Sequence, residues 1–372
     1  MYVMDIDGSN LRCITESLDQ TPSPGVWGKN SSGVYFNVRE FGQSNVYHAD
    51  IKGKVKKITN GNHMLTMNDL VGSDAVATWT DPSNPSDIIS FSIDKPNKIN
   101  RLTDVNKDIF YNVEFGEVEE ITYKSVDEKY VQGWIVKPPN FDSNKKYPLV
   151  LRIHGGPHSM YHVGFNYNFQ LHAAQDQVVL YTNPRGSTGY GYDFANAIQN
   201  AYPGNDYDDI MYGVDEVISR GYIDENRMYV YGGSGGGVLT SWIVGKTDRF
   251  AAASVNYPVT NWFSFVGTTD GATWYYNFKN YPWEDPSEHI KRSPLMYVAN
   301  VKTPTMLMCG EEDLRTPISQ TEEYYQALKM NKVPTVMIRF TDEYHGTSSK
   351  PSNFLRTHGY INAWFDKHSV RK

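Results

Sequence analysis

The run Gly232-Gly233-Ser234-Gly235-Gly236 constrains the fold of this chain more than any other stretch. It follows an apolar segment at 228–231 that reads as a strand, and it opens a helical stretch over 236–245. A serine on a glycine-flanked turn between strand and helix is held in a strained conformation, and the glycines let neighbouring backbone approach where a Cβ would collide. The helix N-terminus behind it aims partial positive charge at negative charge developing nearby. The run fails the strict dinucleotide-binding pattern, because Ser234 and Val238 stand where glycine is required. Strand, turn and helix in this order are the context of a nucleophile elbow.

The surrounding sequence supports the sheet such an elbow needs. Residues 147–154 form a continuous apolar run of the kind buried on both faces of a mostly parallel sheet. Runs at 178–182, 228–232, 251–255, 304–309 and 335–340 are similar, with two earlier strands expected at 121–125 and 131–137. Helical stretches are expected at 192–201, 210–220, 236–245, 321–330 and 354–367. Strands alternating with helices predict an α/β fold with helices on both faces, here an α/β-hydrolase domain over 111–372.

The first 110 residues have another character. Residues 2–15 are echoed at 46–59 and, more loosely, at 89–103, each an alternating run, a Gly or Pro turn and a terminal threonine. Those threonines, Thr15, Thr59 and Thr103, lie 44 residues apart twice over. Further strand-like runs at 33–38 and 75–80 fall between them. Several short strands per unit at this period predict β-propeller blades. About two blades and the tail of another are expected in 1–110, too few to close a ring of typically 4–8.

Composition narrows the function classes. The formal charge is −7 and no run of Lys or Arg exceeds two, so a nucleic-acid partner, which needs a basic footprint, is not expected. The two cysteines, Cys13 and Cys309, make no disulfide framework or cysteine-based zinc site. No stretch approaches the roughly 18 apolar residues of a membrane span. The N-terminus lacks the basic start and apolar core of a signal peptide, which points to a cytoplasmic protein, with the periplasm the alternative for a chain that begins inside a domain. His158 and His162 have a helical i, i+4 spacing but no third ligand, so no metal is expected.

A serine hydroxyl needs a base, and the base needs an orienting carboxylate. In an α/β-hydrolase these follow the serine in the order acid, then histidine, each on a loop after a strand. Asp313 follows the strand ending at Cys309, and His345 follows the strand ending at Phe340. Glu311, Glu312, Asp342 and Glu343 compete for the acid role, the last two lying close along the chain to His345. A tetrahedral oxyanion also needs preset donors, typically ~3–4 kcal/mol each. The N–H of Gly235 is one candidate. Gly156, in the loop His154-Gly155-Gly156-Pro157 after the early strand, is the other.

Taken together, His154-Gly155-Gly156-Pro157, Asn183-Pro184-Arg185-Gly186-Ser187-Thr188-Gly189-Tyr190-Gly191, the Ser234 elbow, Asp313-Leu314-Arg315 and the His345 loop resemble the prolyl oligopeptidase family of serine peptidases, nearest its acylaminoacyl-peptidase and dipeptidyl-peptidase-like branch. The resemblance covers about residues 115–372. It implies a propeller before the hydrolase domain, a triad of Ser234, Asp313 and His345, and no cofactor. It also implies that Arg315 holds a peptide carbonyl beside the cleaved residue, and that Trp262, Phe263 and Phe265 line the pocket for the side chain preceding the scissile bond. Gly235 departs from the tyrosine often found after the nucleophile, which removes one expected pocket wall.

The expected function is hydrolysis of short peptides through an acyl-enzyme, acylaminoacyl- or dipeptidyl-peptidase-like. A carboxylesterase acting on small esters shares the same machinery, and a non-catalytic interaction protein is the rival from another class. Exposed propeller edges would favour a homo-oligomer.

Overall fold

The structure, a computed structural model, describes residues 1–271 and 273–369. It falls into two compact units. The first comprises Met1–Phe115 with Met160–Tyr167 and Thr188–Ala195, and the second holds the remainder.

The regular structure of the first unit is mostly strand. β1 (Tyr2–Val3) and β2 (Arg12–Cys13) pair as an antiparallel hairpin. β3 (Val26–Trp27), β4 (Gly33–Glu40), β5 (Gln43–Asp50) and β6 (Val55–Lys57) form one antiparallel meander. β7 (Met64–Val71), β8 (Asp74–Thr80), β9 (Asp87–Ser92) and β10 (Lys95–Arg101) form a second. Two four-stranded meanders and a hairpin are what two blades and the tail of a third would give.

The repeated threonines have a physical job. Thr59 Oγ1 accepts from the Val46 N–H at 2.9 Å, and Thr103 Oγ1 accepts from the Ile88 N–H, also at 2.9 Å. The residue before each closes the same ladder, Ile58 N–H to Val46 O and Leu102 N–H to Ile88 O, both 2.8 Å. Ile14 N–H to Met1 O at 3.0 Å repeats it before Thr15. The period in the sequence is therefore the period of one hydrogen-bond device at the end of each meander. Asn37 joins the meanders, donating to Leu65 O at 2.6 Å and accepting from Met67 N–H at 2.9 Å.

This unit differs from a segment ending at residue 110 because aromatic packing extends it. Phe110 lies 5.0 Å from Phe115 and 5.9 Å from Phe165, and Phe165 packs edge-on against Tyr167 at 4.9 Å. That cluster ties Phe115 and Met160–Tyr167 to the first unit, and the Phe41 N–H donating to Gly189 O at 3.1 Å ties Thr188–Ala195 to it, which contiguous sequence reading could not do.

The second unit holds an eight-stranded sheet. Its strands are β11 (Val118–Lys124), β12 (Tyr130–Val136), β13 (Tyr147–Ile153), β14 (Val178–Asn183), β15 (Ile223–Gly233), β16 (Ala252–Asn256), β17 (Thr305–Gly310) and β18 (Thr335–Phe340). They lie in the order β11-β12-β14-β13-β15-β16-β17-β18, with β12 antiparallel to both neighbours and parallel pairing from β14 to β18. This is the α/β-hydrolase fold. Helices Asn205–Ser219, Gly235–Lys246 and Ile318–Met330 bury apolar side chains in the larger core, which contains Leu149, Leu151, Val230 and Val255. Helix Pro351–Lys367 covers the other face with Ile361, Trp364 and Phe365, each of which contributes roughly 1.5–3 kcal/mol on burial. Among the described residues no helix is long and apolar enough to cross a membrane.

The Asn183–Gly191 motif acts first as structure. Arg185 is buried, and its Nε lies 2.9 Å from Asp209 Oδ2, its Nη2 2.9 Å from Asp209 Oδ1 and its Nη1 2.9 Å from Asp127 Oδ2. The pair fixes the loop after β14 onto helix Asn205–Ser219. Breaking such a buried pair typically costs about 3–5 kcal/mol.

Asp206, on the first turn of that helix, is also buried but has no cation. Its Oδ1 accepts from the Gly204 N–H, while Oδ2 has no hydrogen-bond partner among the described residues. Burial, with the Asp209 charge adding to it, pushes the carboxyl up to about 7. A carboxyl raised on folding binds its proton more tightly in the native state, so stability is lost as pH rises from about 4 to about 7. Asp206→Asn keeps the acceptor for Gly204 and removes the charge. The variant is expected to be more stable than the parent at pH 8 by on the order of 3 kcal/mol, with the advantage shrinking to nothing near pH 4. Thermal midpoints of both proteins across that range check this, and a gap independent of pH would refute it.

Candidate active site

The elbow is where the sequence places it. β15 ends at Gly233, and Ser234 sits at φ 57°, ψ −122°, a conformation an L-residue avoids. The strain is held from both sides. The Ser234 N–H donates to Asn256 O on β16 at 3.1 Å, and its carbonyl accepts from Val238 N–H in the following helix at 2.9 Å.

Three loops then converge. Ser234 Oγ lies 2.9 Å from His345 Nε2, and His345 Nδ1 lies 2.9 Å and 3.2 Å from Asp313 Oδ2 and Oδ1. With Nδ1–H donating to the carboxylate, the neutral imidazole presents Nε2 as acceptor for the serine proton. Asp313 is buried, as an orienting carboxylate shielded from water should be. Thr316 completes its setting, donating its N–H to Asp313 Oδ1 at 2.8 Å with Oγ1 3.0 Å from Oδ2. Tyr257 stands edge-on to the His345 ring, centroids 5.2 Å apart.

The other acids have other tasks. Glu311 pairs with Arg339 at 2.9 Å and Asp342 with Lys350 at 3.5 Å. The Glu312 N–H donates to Glu343 O at 3.1 Å, tying the acid loop to the histidine loop. Glu343 is buried and accepts from Ser349 Oγ at 2.6 Å and Asn353 Nδ2 at 2.7 Å. Burial raises its pKa, but the hydrogen bonds from Ser349, Asn353 and the Lys350 backbone outweigh that and hold it below the usual range. Two residues before His345, it anchors the base loop to helix Pro351–Lys367.

The oxyanion candidates lie against each other. A Cβ at Gly235 would come within 2.7 Å of Gly156 O and 2.9 Å of Gly156 N, a spacing that only hydrogen permits. Gly156 itself has φ +123°, a region that favours glycine. Neither backbone N–H donates to an acceptor among the described residues, so both remain for a ligand.

Beside Ser234 opens a cavity of about 260 Å³. Trp262, Phe265, Trp274, Tyr202, Val238 and Val259 give it an apolar wall. Trp262 packs edge-on to Phe265 at 5.3 Å and lies 5.8 Å from Trp274. Arg315 lines the same cavity, half-exposed, with Nε 2.6 Å from Asp270 Oδ1. Phe263 corrects the expectation: it does not line the cavity, and its side chain is half-exposed. One helical turn carries Trp262, Phe263 and Phe265, and about 100° per residue turns the middle ring away.

Sequence reading missed Tyr202, Trp274, Tyr257 and Thr316. Tyr202 supplies a pocket wall although Gly235 does not. It is buried, and its hydroxyl donates to Gly235 O at 2.9 Å. Burial, chiefly, pushes that phenol well above its ordinary pKa, so it remains a donor. Only Thr316, three residues after Asp313, had a local signal, that of a side-chain turn. His158 turns Nδ1 toward Gly186 O at 3.0 Å, and no group of three metal-ligating side chains occurs among the described residues.

This chain is similar to known proteins. An uncharacterized peptidase of Bacillus subtilis, YuxL, is 36% identical over 99% of this chain and 59% of its own length. Dipeptidyl-peptidase 5 of Porphyromonas gingivalis is 29% identical over 99% of this chain and 55% of its own. The uncomplexed acylaminoacyl peptidase of Pyrococcus horikoshii superposes with a TM-score of 0.89 at 27% identity, covering all of this chain and 59% of that one. This chain therefore spans less than two thirds of the length of the relatives it matches. The model of the prolyl oligopeptidase family matches residues 163–371, a stretch that holds the elbow, the acid loop and the histidine loop. With the fold, the order of the three loops and this match in agreement, the chain belongs to the prolyl oligopeptidase family of serine peptidases.

Proposed function

We propose that this chain carries out hydrolysis of short peptides through an acyl-enzyme, in the manner of an acylaminoacyl- or dipeptidyl-peptidase. The observation that carries this reading is the continuous relay from Ser234 Oγ through His345 to buried Asp313, beside an aromatic cavity.

Ser234 attacks the carbonyl while His345 Nε2 takes its proton, and Asp313 holds the imidazole tautomer and stabilises the imidazolium. The carbonyl oxygen becomes an oxyanion between the Gly156 and Gly235 N–H groups, with the helix N-terminus behind. His345 gives its proton to the departing amine, then activates water to release the acyl group. The side chain before the scissile bond lies in the cavity, where burial of apolar area favours hydrophobic residues at about 25 cal/mol per Å². Arg315 grips the carbonyl of the preceding acyl group or residue.

A carboxylesterase uses the same relay, so the discriminating experiment compares amide and ester turnover for one acyl group. Acetyl-leucine p-nitroanilide and free-amine dipeptide p-nitroanilides are expected to be hydrolysed. Turnover confined to esters would assign the chain to the carboxylesterases. Failure to label with a fluorophosphonate probe would favour a non-catalytic protein.

A further inference from the structure

Asp270 lies outside the relay, yet it faces Arg315, the one Lys or Arg among the described residues that lines the cavity beside it. Its Oδ1 accepts from Arg315 Nε at 2.6 Å. The attachment continues along the backbone. The Asp270 N–H donates to Leu314 O at 2.9 Å, and Thr269 Oγ1 donates to Arg315 O at 2.7 Å. Segment Thr269–Asp270 is thus fastened to the chain just after Asp313 by three hydrogen bonds. It is flanked by two cavity walls, Phe265 before it and Trp274 after it.

An arginine side chain has several rotatable bonds, and a half-exposed one is free to sweep through solvent. A carboxylate on Nε fixes the guanidinium plane and leaves the Nη groups pointing elsewhere, available to a carbonyl oxygen. A surface ion pair of this kind adds little to stability. Its consequence lies in orientation, because a guanidinium turned away from the carbonyl makes a weaker hydrogen bond and binds the substrate less tightly.

We propose that Asp270 is a positioning residue that holds Arg315 in the geometry needed to grip the acyl carbonyl of a peptide substrate. The inference rests on the peptidase reading above and deepens it, since it makes selection for peptides over simple esters depend on a pair in which one partner never touches substrate.

The test compares acetyl-leucine p-nitroanilide, which has that second carbonyl, with p-nitrophenyl butyrate, which lacks it, for the parent, Asp270→Ala, Asp270→Asn, Arg315→Ala and the double variant. The reading is the anilide-to-ester ratio of kcat/KM. In Asp270→Ala the ratio is expected to fall about fivefold, through KM rather than kcat. Asp270→Asn, which keeps an acceptor for Nε, is expected to recover part of the loss. In the Arg315→Ala background Asp270→Ala is expected to cause no further fall. Equal losses on both substrates, a fall carried by kcat, or additive losses in the double variant would overturn the proposal while leaving the peptidase reading intact. Loss of all anilide turnover and all probe labelling in the parent would overturn both.

Discussion

Ser234→Ala is expected to lower turnover of acetyl-leucine p-nitroanilide by roughly 10⁶-fold and to abolish labelling by a fluorophosphonate. The size follows from what the side chain does. Without Oγ no acyl-enzyme forms, and the remaining oxyanion donors and cavity can only assist direct attack by water. His345→Ala should cost about as much, and the double variant little more, because the two side chains act as one hydrogen-bonded unit. Steady-state kinetics and probe labelling measure this, and an unchanged thermal midpoint shows that the fold survives. Labelling that persists in Ser234→Ala would remove that residue from the nucleophile's role.

Gly156→Ala should produce the second largest effect, a fall in kcat of about 10²–10³-fold with KM changed little. At φ +123° an alanine is strained, and its Cβ would lie 2.7 Å from the His158 backbone nitrogen, which has no freedom to retreat as a side-chain tip would. The loop must shift, and the Gly156 N–H shifts with it. A donor that matters only when charge develops on the carbonyl oxygen is missed in the transition state and hardly at all in the bound substrate. The two constants are separated by full saturation curves. A variant with the parent's kcat would show that the second donor lies elsewhere.

Most of the second unit's fold was legible in the sequence. Strands buried on both faces are continuous apolar runs, so 147–154 and 178–182 marked β13 and β14 to within a residue or so. Helix ends were harder. Helix Asn205–Ser219 begins five residues before its apolar pattern does, because Asp206 and Asp209 are buried polar residues that periodicity reads as surface. The stretch at 192–201 forms a helix only over Tyr192–Asn196, and by Asn200 the backbone has φ 58°, outside the right-handed helical region. The repeat in the first unit was readable as spacing alone, because Thr59 and Thr103 each accept a backbone N–H at the equivalent place in their meanders.

Chain order and local context sufficed to place Ser234, His345, Gly156 and Gly235, since each sits on a turn just after a strand, where an α/β sheet delivers side chains to one edge, whereas Asp313 was set apart from its neighbours by the family resemblance. What the sequence left open was which of five carboxylates faces the imidazole and which aromatic rings face the cavity. Tertiary structure decided both. It buried Asp313 against His345 while giving Glu311 and Asp342 to surface cations and Glu343 to helix Pro351–Lys367. It also brought Tyr202 and Trp274 to the wall and turned Phe263 away. The physical reason is the same in each case. Connectivity fixes which loops meet, whereas a side chain's partner depends on distances between segments far apart in the chain, which no local pattern encodes.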